Sequence, residues 1–160
     1  MPEFVAQPRG AGRRIGVIAS RFNEPVVRRL VDGAMETLVA NGTELDAIDL
    51  IWVPGAWELP VAARYLLETD RYDALVALGA VIRGETKHFD YIAGETSRGL
   101  QQLTLDFGVP IGFGVLTTDD DAQADARAGG AHGNKGADAA LAALEMAELF
   151  DRLDIANQSG

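Results

Sequence analysis

The residues best suited to chemistry lie between positions 83 and 90, where Arg83-Gly84-Glu85-Thr86-Lys87-His88 runs into Phe89-Asp90. His88 is one of only two histidines, and Glu85, Lys87 and Asp90 flank it. Imidazole exchanges protons near neutral pH with little tuning, so His88 is the first candidate for acid-base work. The plainer alternative is a polar residue at a helix start that caps a backbone group. His132, set among Gly129, Gly130, Gly133 and Gly136, reads as a solvated loop histidine. Gly84-Glu85-Thr86 precedes the same helix as His88, and the free N–H groups of a helix start make an anion site that glycine lets a phosphate approach. Glu85 must then face away. Arg127 or Arg83 supplies the counter-charge, since guanidinium meets phosphate bidentately. For Arg127 the competing role is an ion pair with Asp119, Asp120, Asp121 or Asp125.

Phe22 stands in a polar turn between Arg21 and Asn23, and an aromatic there has a face to cover. It stacks on a flat heterocycle or plugs a neighbouring subunit. Trp57 and Phe113 pose the same choice. Glu58 opens a helix, where its charge favours the dipole. His88-x-Asp90 offers two metal ligands at most, so no metal is expected.

These residues must be positioned by elements the sequence also announces. Ile15–Ser20 is a short β-branched apolar run, read as a buried strand. Pro25 suits a first helical turn, and Val26, Val27, Leu30, Val31, Ala34, Met35, Leu38 and Val39 repeat at helical spacing until Asn41-Gly42. The unit recurs: strand over 47–53, helix over 58–68, strand over 74–80, helix over 89–107 and strand over 111–116. A short helix to Arg127, a Gly-rich break and a last amphipathic helix follow. The predicted fold is an α/β, flavodoxin-like, three-layer sandwich of one domain over 14–156, with a four-stranded parallel sheet. Residues 1–13 form an arm that needs something else to order it. Ligands of such sheets bind outside the carboxyl ends of the strands, where each candidate above falls. No Gly-x-Gly-x-x-Gly or Gly-Lys-Ser/Thr loop follows any strand, so dinucleotide and nucleoside-triphosphate fingerprints are missing.

Composition narrows the class. At 160 residues, 48% hydrophobic and 24% charged, the chain fits a single globular domain. The absence of cysteine removes disulfides, thiolate metal sites and thiol nucleophiles. A net charge of −10 disfavours nucleic acid and anionic membranes as partners. No stretch approaches the roughly 18 apolar residues of a span, and a cytoplasmic location is the expectation.

Five motifs taken in order, Arg21-Phe22-Asn23, Val53-Pro54-Gly55-Ala56-Trp57-Glu58-Leu59-Pro60, Gly79 through Tyr91, Gly114-Val115-Leu116-Thr117-Thr118 and Gly133-Asn134-Lys135-Gly136, resemble those of the 6,7-dimethyl-8-ribityllumazine synthase family over residues 14 to 150. The resemblance implies the penultimate step of riboflavin biosynthesis. In it 5-amino-6-ribitylaminouracil condenses with 3,4-dihydroxy-2-butanone 4-phosphate, water and inorganic phosphate leave, and no metal or organic cofactor takes part. Carried over by motif, Phe22 and Asn23 meet the aminouracil, Ala56, Trp57 and Glu58 hold its ribityl chain, and Ala80, Val81 and Ile82 read its ring. Gly84, Glu85, Thr86 and Arg127 bind the butanone phosphate, His88 moves protons, and Lys135 sits near the pyrimidine. Phe113 enters from a neighbouring subunit. The resemblance further implies a homopentamer, which in some members of the family assembles into a sixty-subunit shell, an N-terminal arm placed to add a strand to an adjacent subunit's sheet, and riboflavin synthase as a partner. Two departures stand out: Trp57 is bulkier than the family's usual residue, and Asp119-Asp120-Asp121 is unusually acidic beside the phosphate arginine.

Overall fold

The computed structural model describes residues 1–159. Four strands, β1 (Ile15–Ser20), β2 (Ile48–Val53), β3 (Ala74–Ile82) and β4 (Ile111–Thr118), form one parallel sheet in the order β2-β1-β3-β4. The helices between and after them are α1 (Glu24–Ala40), α2 (Leu59–Glu68), α3 (His88–Phe107), α4 (Asp121–Arg127) and α5 (Lys135–Ser159). A two-residue-wide hairpin, β5 (Ala128–Gly130) with β6 (Gly133–Asn134), joins α4 to α5.

Alternation along the strands divides the core into two apolar layers. Ile15, Val17, Ala19, Val76 and Leu78 face α1 and α5. Ile18, Leu75, Ala77 and Val115 face α2 and α3. β3 is buried on both faces over Ala74–Val81, which explains its unbroken apolar run. The predicted αβα layering and four-stranded parallel sheet therefore follow from the pattern, the strand order is supplied by the structure, and the remaining differences lie at element ends. β3 and β4 run two residues past their predicted stops, because Val81 and Ile82 pair with Thr117 and Thr118 and the polar threonines continue the ladder. α3 begins at His88, one residue earlier than predicted.

The arm is not uniform. Arg13 is buried and its guanidinium pairs with Glu148 at 2.7 Å and Asp151 at 2.9 Å on α5, while the Gly10 N–H donates to the Asn41 carbonyl at 2.8 Å. Residues before Ala6 are exposed, Phe4 and Val5 among them, and form no strand within this chain. No helix among the described residues is long and apolar enough to cross a membrane.

Candidate active site

β1 lies between β2 and β3, so the chain reverses direction across the sheet at the β1/β3 boundary, the place where open parallel sheets leave a crevice at their carboxyl ends. A cavity of about 300 Å³ occupies it. Its wall takes Phe22 from the turn after β1, Ala56 and Trp57 from the turn after β2, Ala80, Val81 and Ile82 from the end of β3, and Gly84, Thr86 and His88 from the connection into α3.

The turn after β1 is fastened from two sides. Arg21 and Phe22 donate their N–H groups to the carbonyls of Val53 and Pro54, at 2.8 and 3.1 Å. Asn23 adopts a left-handed conformation, φ 62°, that asparagine tolerates better than most residues. Its Nδ2 donates to the Ala80 carbonyl at 2.9 Å, across the β1/β3 crevice. Phe22 is thus rigid yet 71% exposed, an aromatic face held ready for a cover the chain does not provide. Asn23 itself is outside the cavity wall, as are Glu58 and Glu85.

At the helix start the Thr86 Oγ1 accepts the His88 N–H at 3.3 Å. The N-cap position falls on Lys87, which makes no side-chain cap bond, so His88 is not the capping residue, and its imidazole, exposed and lining the cavity, makes no hydrogen bond among the described residues. The two arginines weighed for a phosphate differ sharply. Arg83 is engaged: its guanidinium meets Asp119 at 3.0 Å and Asp90 at 3.7 Å and lies 4.4 Å from the centroid of the Phe89 ring. Arg127 forms no ion pair among the described residues, and its Nη1 donates only to the Gln123 carbonyl of its own helix, at 3.0 Å. Three of the neighbouring acids are engaged elsewhere. Asp119 pairs with Arg83, Asp120 Oδ1 caps α4 by accepting the Gln123 N–H at 2.8 Å, and Asp125 pairs with Arg29.

Arg127 does not share the His88 cavity. It lines a second one, of about 440 Å³, with Phe113, Thr117, Thr118 and Lys135. No residue lines both. Phe113 stands on the free edge of β4, partly exposed. The sequence candidates are thus brought together in two groups, the ring-and-histidine group and the Phe113-Arg127-Lys135 group. Sequence reasoning passed over Phe89 and Ile92, which complete the first wall, and Asp138, in the second. Ile92 follows His88 by one helical turn and Asp138 follows Lys135 by three residues, so a search for same-face neighbours finds both. His132, read as a loop histidine, also reaches the second cavity. Among the described residues no cluster of three or more His, Asp or Glu side chains is placed to hold a metal ion.

With this geometry established, comparison with known proteins is informative. The family model for 6,7-dimethyl-8-ribityllumazine synthase matches residues 12–151. A 6,7-dimethyl-8-ribityllumazine synthase from Gemmatimonas aurantiaca is 63% identical over 157 residues, covering 98% of this chain and 96% of its own. One from Aquifex aeolicus is 53% identical over 142 residues, covering 89% and 92%.

Proposed function

The chain belongs to the 6,7-dimethyl-8-ribityllumazine synthase family, and from that premise we infer that its two cavities are halves of one catalytic site completed between neighbouring copies. The reaction is the condensation of 5-amino-6-ribitylaminouracil with 3,4-dihydroxy-2-butanone 4-phosphate to 6,7-dimethyl-8-ribityllumazine in riboflavin biosynthesis, with loss of water and inorganic phosphate. The single observation carrying the interface reading is that the phosphate arginine and Phe113 line a cavity separate from that of His88, at the opposite sheet edge from β2.

In this reading Phe22 stacks on the pyrimidine, and the backbone groups of Ala80, Val81 and Ile82 read its edge. Ala56, Trp57 and Glu58 hold the ribityl chain, with Asn23 fixing the turn that carries Phe22. Gly84, Glu85 and Thr86 offer main-chain amides at the start of α3 to the butanone phosphate, and Arg127 of a neighbouring copy adds the positive charge. Phe113 of that copy covers the exposed face of the bound ring, and Lys135 stands near the pyrimidine. The aromatic amine forms a C–N bond to the substrate ketone, and its oxygen departs as water. A carbon–oxygen bond to phosphate then breaks, and the ring closes with loss of a second oxygen as water. His88 is the group placed to carry protons in these steps, because its imidazole faces the cavity beside the phosphate-binding turn.

The same reading covers the assembly. A homopentamer supplies the neighbour each site needs, and a sixty-subunit shell is its larger form, with riboflavin synthase as a partner that consumes the product. The bare edge of β2 and the exposed Phe4 and Val5 support an arm that adds a strand to an adjacent subunit. The boundary between arm and domain falls near residue 13, where Arg13 is anchored to α5. Cytoplasmic placement belongs to this reading too, since both substrates are small and strongly polar.

The interface claim is tested by mixing two crippled variants. His88→Ala and Arg127→Ala protomers, dissociated and reassembled together, should regain lumazine fluorescence well above either alone, because some interfaces then pair an intact His88 with an intact Arg127. Hybrids no better than their parents would show that both residues act within one chain.

A further inference from the structure

We propose that Asn134 is a positioning residue: it ties the hairpin carrying Arg127 and Lys135 to α1 and so sets the two cations as a fixed pair toward the phosphate-bearing substrate. This rests on the reading that Arg127 binds that phosphate.

Asn134 has three side-chain hydrogen bonds, and each has a directional purpose. Its Oδ1 accepts the N–H groups of Gly136 and Ala137, at 2.8 and 3.1 Å, which satisfies two free donors in the first turn of α5. Its Nδ2 donates to the carbonyl of Arg29 in α1 at 2.9 Å, 105 positions away in sequence. The hairpin pairs Asn134 with Ala128. Arg127 therefore precedes one member of that pair and Lys135 follows the other, so both cations flank the point at which Asn134 is pinned.

The surroundings leave Asn134 little freedom. A Cβ on Gly33 would lie 2.4 Å from the Asn134 amide group, and one on Gly136 would lie 2.1 Å from the Leu30 carbonyl oxygen. Both glycines are thus needed for α1 and the start of α5 to approach closely enough for the Nδ2 bond to form. The same residue of α1 holds the next element as well, because the Arg29 guanidinium pairs with Asp125 in α4. One turn of α1 anchors both ends of the segment that presents Arg127 and Lys135. Among the described residues neither cation has an acidic partner of its own, so their placement depends on this backbone anchorage rather than on ion pairing.

The experiment uses the full chain in its assembled form and compares Asn134→Ala, Gly33→Ala and Arg127→Ala. It reads kcat, the KM of each substrate, and the inhibition constant of inorganic phosphate, with sedimentation to monitor assembly. Asn134→Ala should raise the butanone phosphate KM and the phosphate inhibition constant together by about tenfold, while kcat and the aminouracil KM change by less than about threefold. Gly33→Ala should act in the same sense, and the double variant should fall short of the product of the two single effects, because both break one junction. Asn134→Asp keeps the two acceptor bonds but sets a carboxylate oxygen against the Arg29 carbonyl and adds a negative charge between the cations, so its shift should be at least as large as that of Asn134→Ala; Gly33→Ala decides the matter if Asn134→Ala fails to assemble. A purely structural Asn134 would lower the melting temperature and leave the phosphate constants alone. If Arg127→Ala raises the phosphate constants and the Asn134 and Gly33 variants do not, the positioning role is overturned. If Arg127→Ala itself changes neither constant, it is the underlying phosphate assignment that falls.

Discussion

The two ends of the parallel sheet treat charge differently. At the amino ends of the strands, Asp49 accepts the Tyr72 hydroxyl at 2.7 Å and the Arg14 guanidinium at 2.9 Å, with Arg71 at 3.8 Å. The Arg14 N–H in turn donates to Asp73 at 2.7 Å. Acid and base are matched there inside one network that joins β1, β2 and the turn before β3. At the carboxyl ends Arg83 is matched to Asp119 and Asp90, but among the described residues His88, Arg127 and Lys135 have no acidic partner, and Phe22 and Trp57 lie largely uncovered. Groups matched to each other are available for stability; groups left unmatched are available to something that arrives. The comparison gives the sheet an inert end and a working end, and it yields effects that should separate cleanly.

The largest effect belongs to the working end. His88→Ala should lower kcat by about a hundredfold or more, the usual loss on removing a proton carrier, with melting temperature and assembly unchanged. Asp49→Ala should do the reverse, lowering stability and leaving kcat of the folded assembly intact. Rates from lumazine fluorescence beside thermal melts check both, and a stable-but-slow Asp49 variant would erase the distinction between the two ends.

Asn23 offers a smaller effect at the working end that separates backbone conformation from hydrogen bonding. Asn23→Ala loses the bond to Ala80 and places alanine in the left-handed region, at a combined cost of about 2 kcal/mol. Asn23→Gly loses the bond alone and should cost about 1 kcal/mol. Both should raise the aminouracil KM by freeing Phe22, the alanine variant more so. Equal stability for the two would mean that the positive φ carries no strain here.

The layers and the parallel sheet were legible because they rest on periodicity, whereas the order β2-β1-β3-β4 was not. The unbroken apolar run of β3 could only be buried on both faces, and Pro25 and Pro60 could only sit in first turns. The polar turns after β1, β2 and β3 were legible as a site because parallel topology sends all of them to one end. The division of the candidate residues between two cavities was not legible from pattern alone. Whether Arg127 shares a cavity with His88 depends on which side of β4 the hairpin folds to, and that rests on contacts distant in sequence, Asn134 reaching Arg29 across 105 positions among them. Nor could spacing show that Arg83 would be engaged by Asp119 and Asp90 while Arg127 stays free, since both arginines have acids nearby in sequence. Same-face reading of α3 would have found Ile92; competition among surface charges has no such period to read.

The smallest effect concerns the inert end and depends on pH with a definite sign. The Tyr72 hydroxyl bond, aided by Arg14 and Arg71, outweighs desolvation and holds the Asp49 carboxyl below its ordinary value. A carboxyl lowered on folding stabilises the native state above the unfolded pKa of about 3.9 and loses that contribution as pH falls through the lowered value. Tyr72 moves the other way: burial first, and then its bond to Asp49, raise the phenol above its ordinary value. Its contribution is complete below a pH of about 10 and disappears as pH rises through the raised value. Both groups are partly exposed, so solvent weakens each contribution. Tyr72→Phe should therefore cost about 1 kcal/mol near neutrality, the worth of one hydrogen bond to a charged group after screening. It should flatten the alkaline side of the stability profile and weaken the acid side, because the bond that most lowers Asp49 is gone. Asp49→Asn should flatten the acid side more completely. Activity of the folded enzyme should be untouched in both, because the network lies at the amino ends of the strands and the cavities at the carboxyl ends. Melting temperatures across pH, with kcat measured at one neutral pH, decide it: a kcat that falls with either variant would show that the two ends of the sheet are coupled.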